Sequence, residues 1–133
     1  QTIRFLIEEI KKEMKIVDDN YSKPMSNAIS DVTATLEKLL SKANNSRYLA
    51  ANGVNWLMQL GYFCGGWMAV KSADRAIKNA TRLPDDFVKS KIICAEIYLQ
   101  HSLPHVRTYS NVINHEDNSI LNMDVNWLHR RTA

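Results

Sequence analysis

Two histidines one helical turn apart are the first residues whose spacing suggests chemistry. His101 and His105 are four residues apart, and on a helix they would share a face as paired metal ligands do. No Glu follows His101 as in the zinc-protease motif, Pro104 distorts the turn between the two rings, and no third ligand stands at a fitting distance. We interpret them as polar-face histidines beside a kink, and we predict no metal site.

The cysteines Cys64 and Cys94 are a second pair to consider. Antiparallel packing of the helices that carry them would set residue 64 level with residue 102, so the cysteines would be offset by about eight residues, or about 12 Å. That distance is too long for a disulfide, and we expect both side chains to be buried thiols. No signal peptide is recognisable, so a reducing, cytoplasmic setting is the expected one.

The glycines of the segment Gly61-Tyr-Phe-Cys-Gly65-Gly66 could suggest a phosphate-binding loop. Their spacing fits neither the dinucleotide fingerprint nor the Walker pattern, and no strand precedes them. Gly61 and Gly65 share one helical face instead, which predicts close approach of a neighbouring helix. No nucleophile motif frames a Ser or Cys, and Glu96 is a carboxylate without an obvious partner. We therefore predict no catalytic and no cofactor-binding residue in this chain.

Composition limits the class of protein. The 133 residues are 45% apolar and 23% charged, which is typical of one globular domain with a packed core. The net charge is only +3, and basic residues alternate with acidic ones along the helices, so we expect no nucleic-acid partner. The chain begins with Gln1 inside an amphipathic pattern, from which we expect a fragment of a larger protein.

Apolar residues recur at steps of three and four along most of the chain. This pattern predicts four helices, at about 2–19, 24–43, 46–81 and 85–113, followed by an irregular tail at 114–133. Pro104 should kink the fourth helix or end its regular hydrogen bonding. Because the turns are short, the predicted fold class is all-α, an antiparallel four-helix bundle.

The segment from Val54 to Val70 is apolar on nearly every side, so it must be covered nearly all round. A membrane span is not expected, because the run is shorter than the roughly 20 residues needed and contains Asn55 and Gln59. The helix that carries this segment must therefore be covered by protein.

This helix has an aromatic face and a glycine face. Trp56 and Trp67 are eleven residues apart, which places both indoles on one side, with Phe63 between them. We expect the glycine face to make the closest contact inside the bundle. The aromatic face would then be a candidate interface, covered by the tail around Trp127, by a second subunit or by further domains.

One stretch of the chain resembles a known family. It runs from Leu60-Gly61-Tyr62-Phe63-Cys64-Gly65-Gly66-Trp67-Met68 through small residues at Ala69, Ser72, Ala73 and Ala76 to Lys91–Ala95, Tyr98, His101 and Leu103-Pro104. It resembles the C-terminal helical extension of a bacterial acyl-CoA dehydrogenase subgroup over about residues 30 to 110. The similarity is strongest around Gly66-Trp67 and Leu103-Pro104.

The resemblance implies a parent enzyme that removes two hydrogens from the α and β carbons of an acyl-CoA thioester and passes them to FAD. In such enzymes the catalytic carboxylate and the flavin contacts lie in the preceding domains. This chain would then be a non-catalytic bundle without FAD of its own, packed on the catalytic core or mediating subunit contact in a homo-oligomer. The alternative is a free-standing helical module that binds a partner protein through its aromatic helix.

Overall fold

The structure, a computed structural model, describes residues 1–115 and 119–128. Within these ranges the regular elements are all helical, so the predicted all-α class is confirmed. The α-helices are α1 (Thr2–Met14), α2 (Asp19–Ser41), α3 (Ser46–Lys78), α4 (Asp85–Ile97), α5 (His105–Asn114) and α6 (Ser119–Asn122). Short 3-10 turns lie at Ala80–Arg82 and Val125–Leu128, and a π-helical turn lies at Tyr98–Ser102.

The boundary between α1 and α2 differs from the prediction. Helix α1 ends at Met14 rather than near residue 19. The side chain of Asp18 caps α2 by accepting a hydrogen bond from the Asn20 N–H at 2.8 Å. Asp18 therefore marks the start of α2 rather than the end of α1. Pro24 lies inside α2, within its second turn, where one hydrogen bond is lost without ending the helix.

The other boundaries follow the sequence more closely. Asn45 caps α3 by accepting a hydrogen bond from the Tyr48 N–H at 3.0 Å. The predicted fourth helix is divided into α4 and α5 by the π-helical turn and Pro104. The Leu103 N–H donates to the Tyr98 carbonyl at 2.9 Å, five residues back, and Pro104 has no N–H to restore the regular pattern.

The helices run in alternating directions. Arg4, near the start of α1, pairs with Glu37, near the end of α2, at 2.9 Å. The Tyr48 hydroxyl at the start of α3 donates to the Ile113 carbonyl near the end of α5 at 2.7 Å. Farther along α3, Gln59 contacts Val106 near the start of α5. The α4–α5 segment is therefore antiparallel to α3, which gives the antiparallel bundle that the sequence predicted.

The core lies between α2, α3 and the α4–α5 segment, with α1 closing one side. Its fully buried apolar side chains include Ile10, Met25, Val32, Phe63, Val70, Val106 and Ile113. Phe63 and Val70 define the buried side of α3. Because this side of α3 faces the core, only the other sides of α3 remain for contacts outside the bundle.

A polar cluster is buried at the centre of this core. The hydroxyls of Thr35 and Ser110 are 3.0 Å apart, and the Gln59 Nε2 donates to the Thr35 Oγ1 and to the Val106 carbonyl, each at 3.1 Å. The Gln59 Oε1 is buried without a partner among the described residues, but the three contacts above join α2, α3 and α5 and so constrain how these helices lie against one another.

The predicted tail is partly described. Helix α6 lies at the start of α3, where the Arg47 guanidinium donates to the Leu121 carbonyl at 2.8 Å. Residues 116–118 and 129–133 of the predicted tail lie outside the described residues. None of the helices formed by the described chain is long and apolar enough to cross a membrane.

Candidate functional site

The aromatic residues predicted to form an interface do not lie on one open surface. Phe63 is fully buried in the core, and Trp56 and Trp67 are half-buried against it. Trp127 is 73% exposed. Phe63 therefore has no surface left for a partner, whereas the interface predicted at Trp56, Trp67 and Trp127 stays a prediction. Large rings bury the most apolar area per residue, which favours their placement in the core.

Trp67 is held by a polar cluster that joins α1 to α3. Its indole N–H donates to Glu13 at 2.7 Å, and the Lys71 ammonium donates to the other Glu13 oxygen at 2.8 Å. The same ammonium lies 4.8 Å from the centroid of the Trp67 ring. The hydrogen bond from Lys71, followed by that from Trp67, lowers the pKa of the Glu13 carboxyl. These contacts hold the end of α1 against α3.

The two glycines predicted to face a close helix contact have different surroundings. A Cβ added at Gly65 would overlap the Tyr98 ring, whereas a Cβ added at Gly61 would meet nothing within 4 Å. The prediction for Gly61 is therefore wrong, since Gly61 lies on an exposed surface. At Gly65 the close neighbour is a side chain, whose hydroxyl donates to the Tyr62 carbonyl at 3.1 Å.

Gly66 is the tightly packed glycine that the spacing argument missed. An added Cβ would lie 2.7 Å from the Leu103 Cδ1 and 3.1 Å from the Met25 sulfur. Gly66 stands three residues after Phe63 and four before Val70, so it shares their buried side. The spacing of Gly66 from these two apolar residues could have indicated from the sequence that it is buried.

His101 lies in the π-helical turn, and His105 is the first residue of α5. His101 and His105 are both exposed, and the His105 ring stacks on Tyr62 with 4.7 Å between centroids. The His105 Nδ1 lies 3.0 Å from the Ser102 carbonyl. Among the residues that the structure describes, no three His, Cys, Asp or Glu side chains are grouped to hold a metal ion.

The cysteines are free thiols in different environments. Cys64 is half-buried, and Cys94 is exposed, so the expectation that both are buried is wrong for Cys94. Burial raises the pKa of the Cys64 thiol, which reduces the thiolate that a nucleophile would require.

The residues described do not fit a flavin dinucleotide. The glycines all lie inside α3, where helical hydrogen bonds occupy the backbone N–H groups, and none has positive φ. A phosphate-binding loop needs free N–H groups that converge on the ligand.

The feature that remains is an uncovered apolar line along α3. Its members recur at alternating steps of four and three residues, which aligns them on one side of the helix. We call this line the α3 stripe, and it consists of Ala50, Val54, Leu57, Gly61, Cys64 and Met68.

The α3 stripe is exposed over most of its length. Val54, Leu57 and Met68 expose 71%, 68% and 54% of their surface. Ala50 and Gly61 are exposed as well, and Cys64 is half-buried. The line is about 27 Å long at 1.5 Å per residue. No charged residue occurs between Arg47 and Lys71, so this side of α3 is uncharged, and residues 1–115 and 119–128 leave it uncovered.

The described chain is an all-α bundle with a buried aromatic face and an apolar helix face that its own residues leave uncovered. A family model described as acetyl-CoA dehydrogenase C-terminal like matches residues 6–124. The chain belongs to this family, and the resemblance seen in the sequence is confirmed. Searches of curated proteins and of solved structures found no match.

Proposed function

We propose that this chain is the non-catalytic C-terminal bundle of an FAD-dependent acyl-CoA dehydrogenase-type enzyme, and that it docks on the rest of that enzyme through the α3 stripe. The family match supports the first part, because the family is a C-terminal-like region of such dehydrogenases. The preceding domains would hold the FAD and the catalytic base. The cytoplasm is the expected compartment.

The α3 stripe is the observation on which the docking proposal rests. Val54, Leu57 and Met68 each expose more than half of their surface on one helix side. Their exposed parts together equal about two whole side chains. Covering them would contribute about 3–6 kcal/mol, at about 1.5–3 kcal/mol for each fully buried side chain. A long helix that is apolar on all sides and covered on only part of them indicates a missing neighbour.

The size of the α3 stripe favours a neighbour within the same polypeptide. One helix face of this length buries on the order of a few hundred Å², less than the roughly 800 Å² per partner of stable complexes. A covalent link raises the effective concentration to about the millimolar range, so a small contact suffices inside one chain. This argument favours the parent's own domains over a second copy and over a free-standing interaction module.

The shape of the α3 stripe also limits its neighbour. Gly61 lies near the middle of the α3 stripe and has open space beside it. Ala50 is the first residue of the α3 stripe. A partner helix can approach closely at Gly61 and place a large apolar side chain there, while Leu57 and Met68 pack on either side. The expected neighbour is therefore an apolar helix face of the catalytic domains.

The experiment uses the full reading frame that contains this chain. The double variant Leu57→Glu/Met68→Glu should detach the bundle, seen as faster proteolytic release of the bundle and a separate unfolding transition. Ile93→Glu is the matched control, because Ile93 is 53% exposed on α4, outside the α3 stripe. If both variants behave alike, the docking proposal fails.

The same full-length protein also tests whether the parent binds flavin and whether the α3 stripe forms a subunit contact. Flavin absorbance of the purified protein should be present, and a reading frame without flavin-binding domains would contradict the proposed parent. Loss of a dimer in the stripe variant, with proteolysis unchanged, would assign the α3 stripe to subunit contact instead.

A further inference from the structure

A second surface feature is a groove between the end of α2 and the start of α3. We call it the α2–α3 groove, and its volume is about 320 Å³. Leu36 and Leu40 of α2 and Leu49 and Trp56 of α3 belong to its wall, and none of its wall residues is charged. Small-molecule sites in proteins are mostly apolar and have volumes of about 300–1,000 Å³, so the α2–α3 groove is large enough for a small ligand.

One buried amide belongs to this wall. Asn52 is only 3% exposed, and its Nδ2 donates to the Tyr48 carbonyl at 3.0 Å. Its Oδ1 accepts no hydrogen bond from residues 1–115 and 119–128, and the oxygen that is sealed from solvent without a partner in these ranges is Gln59 Oε1. The Asn52 Oδ1 therefore keeps accessible surface. Because Asn52 is otherwise enclosed, the α2–α3 groove is where a donor can reach this oxygen.

Gly53 widens the α2–α3 groove on the side of α3. It is a wall residue, and a Cβ added to it would meet nothing within 4 Å. Glycine weakens a helix interior relative to alanine, and a neighbour that approaches closely is the usual compensation. At Gly66 that neighbour belongs to the described chain, whereas at Gly53 it does not. The space beside Gly53 is therefore available to a ligand.

We propose that the α2–α3 groove binds a small, neutral, mostly apolar molecule that carries one hydrogen-bond donor, an N–H or O–H group. The wall leucines and Trp56 cover its apolar body, and the Asn52 Oδ1 accepts the hydrogen bond. At about 30 Å³ for each water-sized group, the groove holds about ten non-hydrogen atoms. A charged ligand is disfavoured, because no wall residue can neutralise its charge.

This site is separate from the surface that carries the proposed docking function. Trp56 and Leu57 are neighbours in sequence and project about 100° apart, so the α2–α3 groove lies beside the α3 stripe, on the side of α2. The proposed ligand site therefore does not depend on the identity of the parent enzyme.

The test is an amide NMR titration of the 133-residue chain with indole, which has nine non-hydrogen atoms and one N–H donor. We expect shifts at Leu40, Asn52 and Gly53 with a dissociation constant on the order of 0.1–1 mM. The compound 1-methylindole fills the same space without a donor and should bind about fivefold more weakly. Equal affinity for the two compounds, or no shifts with indole, would overturn the proposal.

Gly53→Leu should block the groove while it strengthens the helix. The leucine side chain enters the α2–α3 groove, so the affinity for indole should fall at least tenfold. The melting temperature should rise by about 2–4 °C, because leucine is the better helix former. Gly61→Leu is the matched control, since Gly61 also has open space beside it but lies on the α3 stripe, outside the groove. The control should raise the melting temperature to a similar extent and leave the affinity for indole unchanged. Equal affinities in the two variants would contradict the site.

Asn52→Leu tests the assigned acceptor. Leucine has nearly the shape of asparagine but no acceptor, so the variant should bind indole and 1-methylindole with similar affinity. Circular dichroism checks that helix content is retained. If the variant keeps the fivefold preference for indole, Asn52 is not the acceptor and the proposal fails.

Two further measurements separate a small molecule from other occupants of the α2–α3 groove. Trp127→Ala should leave the affinity for indole unchanged, and the full-length parent should bind indole as the isolated chain does. A tenfold gain in Trp127→Ala would show that the chain's own tail occupies the groove, and loss of binding in the parent would show that its other domains do. Either result would overturn the proposal.

Discussion

Gly61 and Gly65 are one turn apart in α3, yet the space beside them differs. Gly65→Leu should lower the free energy of unfolding by about 1–3 kcal/mol or more, because the new side chain overlaps Tyr98 and displaces its hydroxyl from the Tyr62 carbonyl. The matched variant Gly61→Leu enters open space and should raise stability by up to about 1 kcal/mol, as leucine is the better helix former.

Urea unfolding of the isolated chain measures both glycine variants under the same conditions. Equal stability of Gly65→Leu and Gly61→Leu would contradict the packing assigned to Gly65.

The Glu13 carboxyl should make stability depend on pH. Its pKa in the folded chain is lowered from 4.5, so its contribution is fully present above pH 4.5 and is lost as pH falls through the lowered value. Urea unfolding between neutral and acidic pH should show this loss in the native chain. Glu13→Gln should remove that part of the pH dependence, and Lys71→Met should reduce it, because Lys71 makes the largest contribution to the pKa shift. A pH profile that is identical in all three chains would rule out this role.

The spacing of residues along α3 predicted which side chains share a face of the helix, but it did not predict which face is buried. Trp56, Phe63 and Trp67 do align, as the helical geometry required. The helix is apolar on nearly every side, so its pattern contains no polar face to mark the solvent direction. The burial of Phe63 is decided by packing against α2, which the sequence of α3 alone does not contain.

At the scale of elements, the buried polar cluster should fix how α2 lies against α3 and α5. Thr35→Val removes the hydroxyl that contacts Ser110 and Gln59 and should destabilise the chain by about 1–3 kcal/mol. Thr33→Val is the matched control, because both hydroxyls also donate to the carbonyl four residues back while Thr33 is exposed. The control should change stability by less than about 0.5 kcal/mol.

Thermal and urea unfolding of the two threonine variants provide the comparison. If Thr33→Val costs as much as Thr35→Val, the interhelical contacts add nothing beyond the local hydrogen bond.

The helices themselves were mostly predictable from capping and proline positions. Asn45 caps α3, Pro84 directly precedes α4, and Pro104 directly precedes α5. Asp18 was ambiguous, because an aspartate after an apolar run can end one helix or cap the next, and the structure uses it as a cap. Helix α2 begins at Asp19 rather than near residue 24, and it includes Pro24 with the loss of one backbone hydrogen bond.

At the scale of the whole molecule, the sequence predicted the family and the bundle, but it did not predict which face of α3 the bundle leaves open. The composition of the segment Val54–Val70 predicted cover on nearly all sides, and this stays a prediction for the sides that the described chain leaves open. The described chain covers the side with Phe63 and leaves the α3 stripe open. Which side stays open depends on the positions of three neighbouring helices, and that information is spread over the whole chain.

The most direct test is the reactivity of a thiol placed on the α3 stripe in the full-length parent protein. In a background of Cys64→Ala and Cys94→Ser, the labelling rate of Leu57→Cys is measured in the isolated chain and in the parent, with Ile93→Cys as the control. Leu57 exposes 68% of its surface and Ile93 53%, so both should label rapidly in the isolated chain. The account predicts at least tenfold slower labelling of Leu57→Cys in the parent. Equally fast labelling of Leu57→Cys in the parent and in the isolated chain would contradict it.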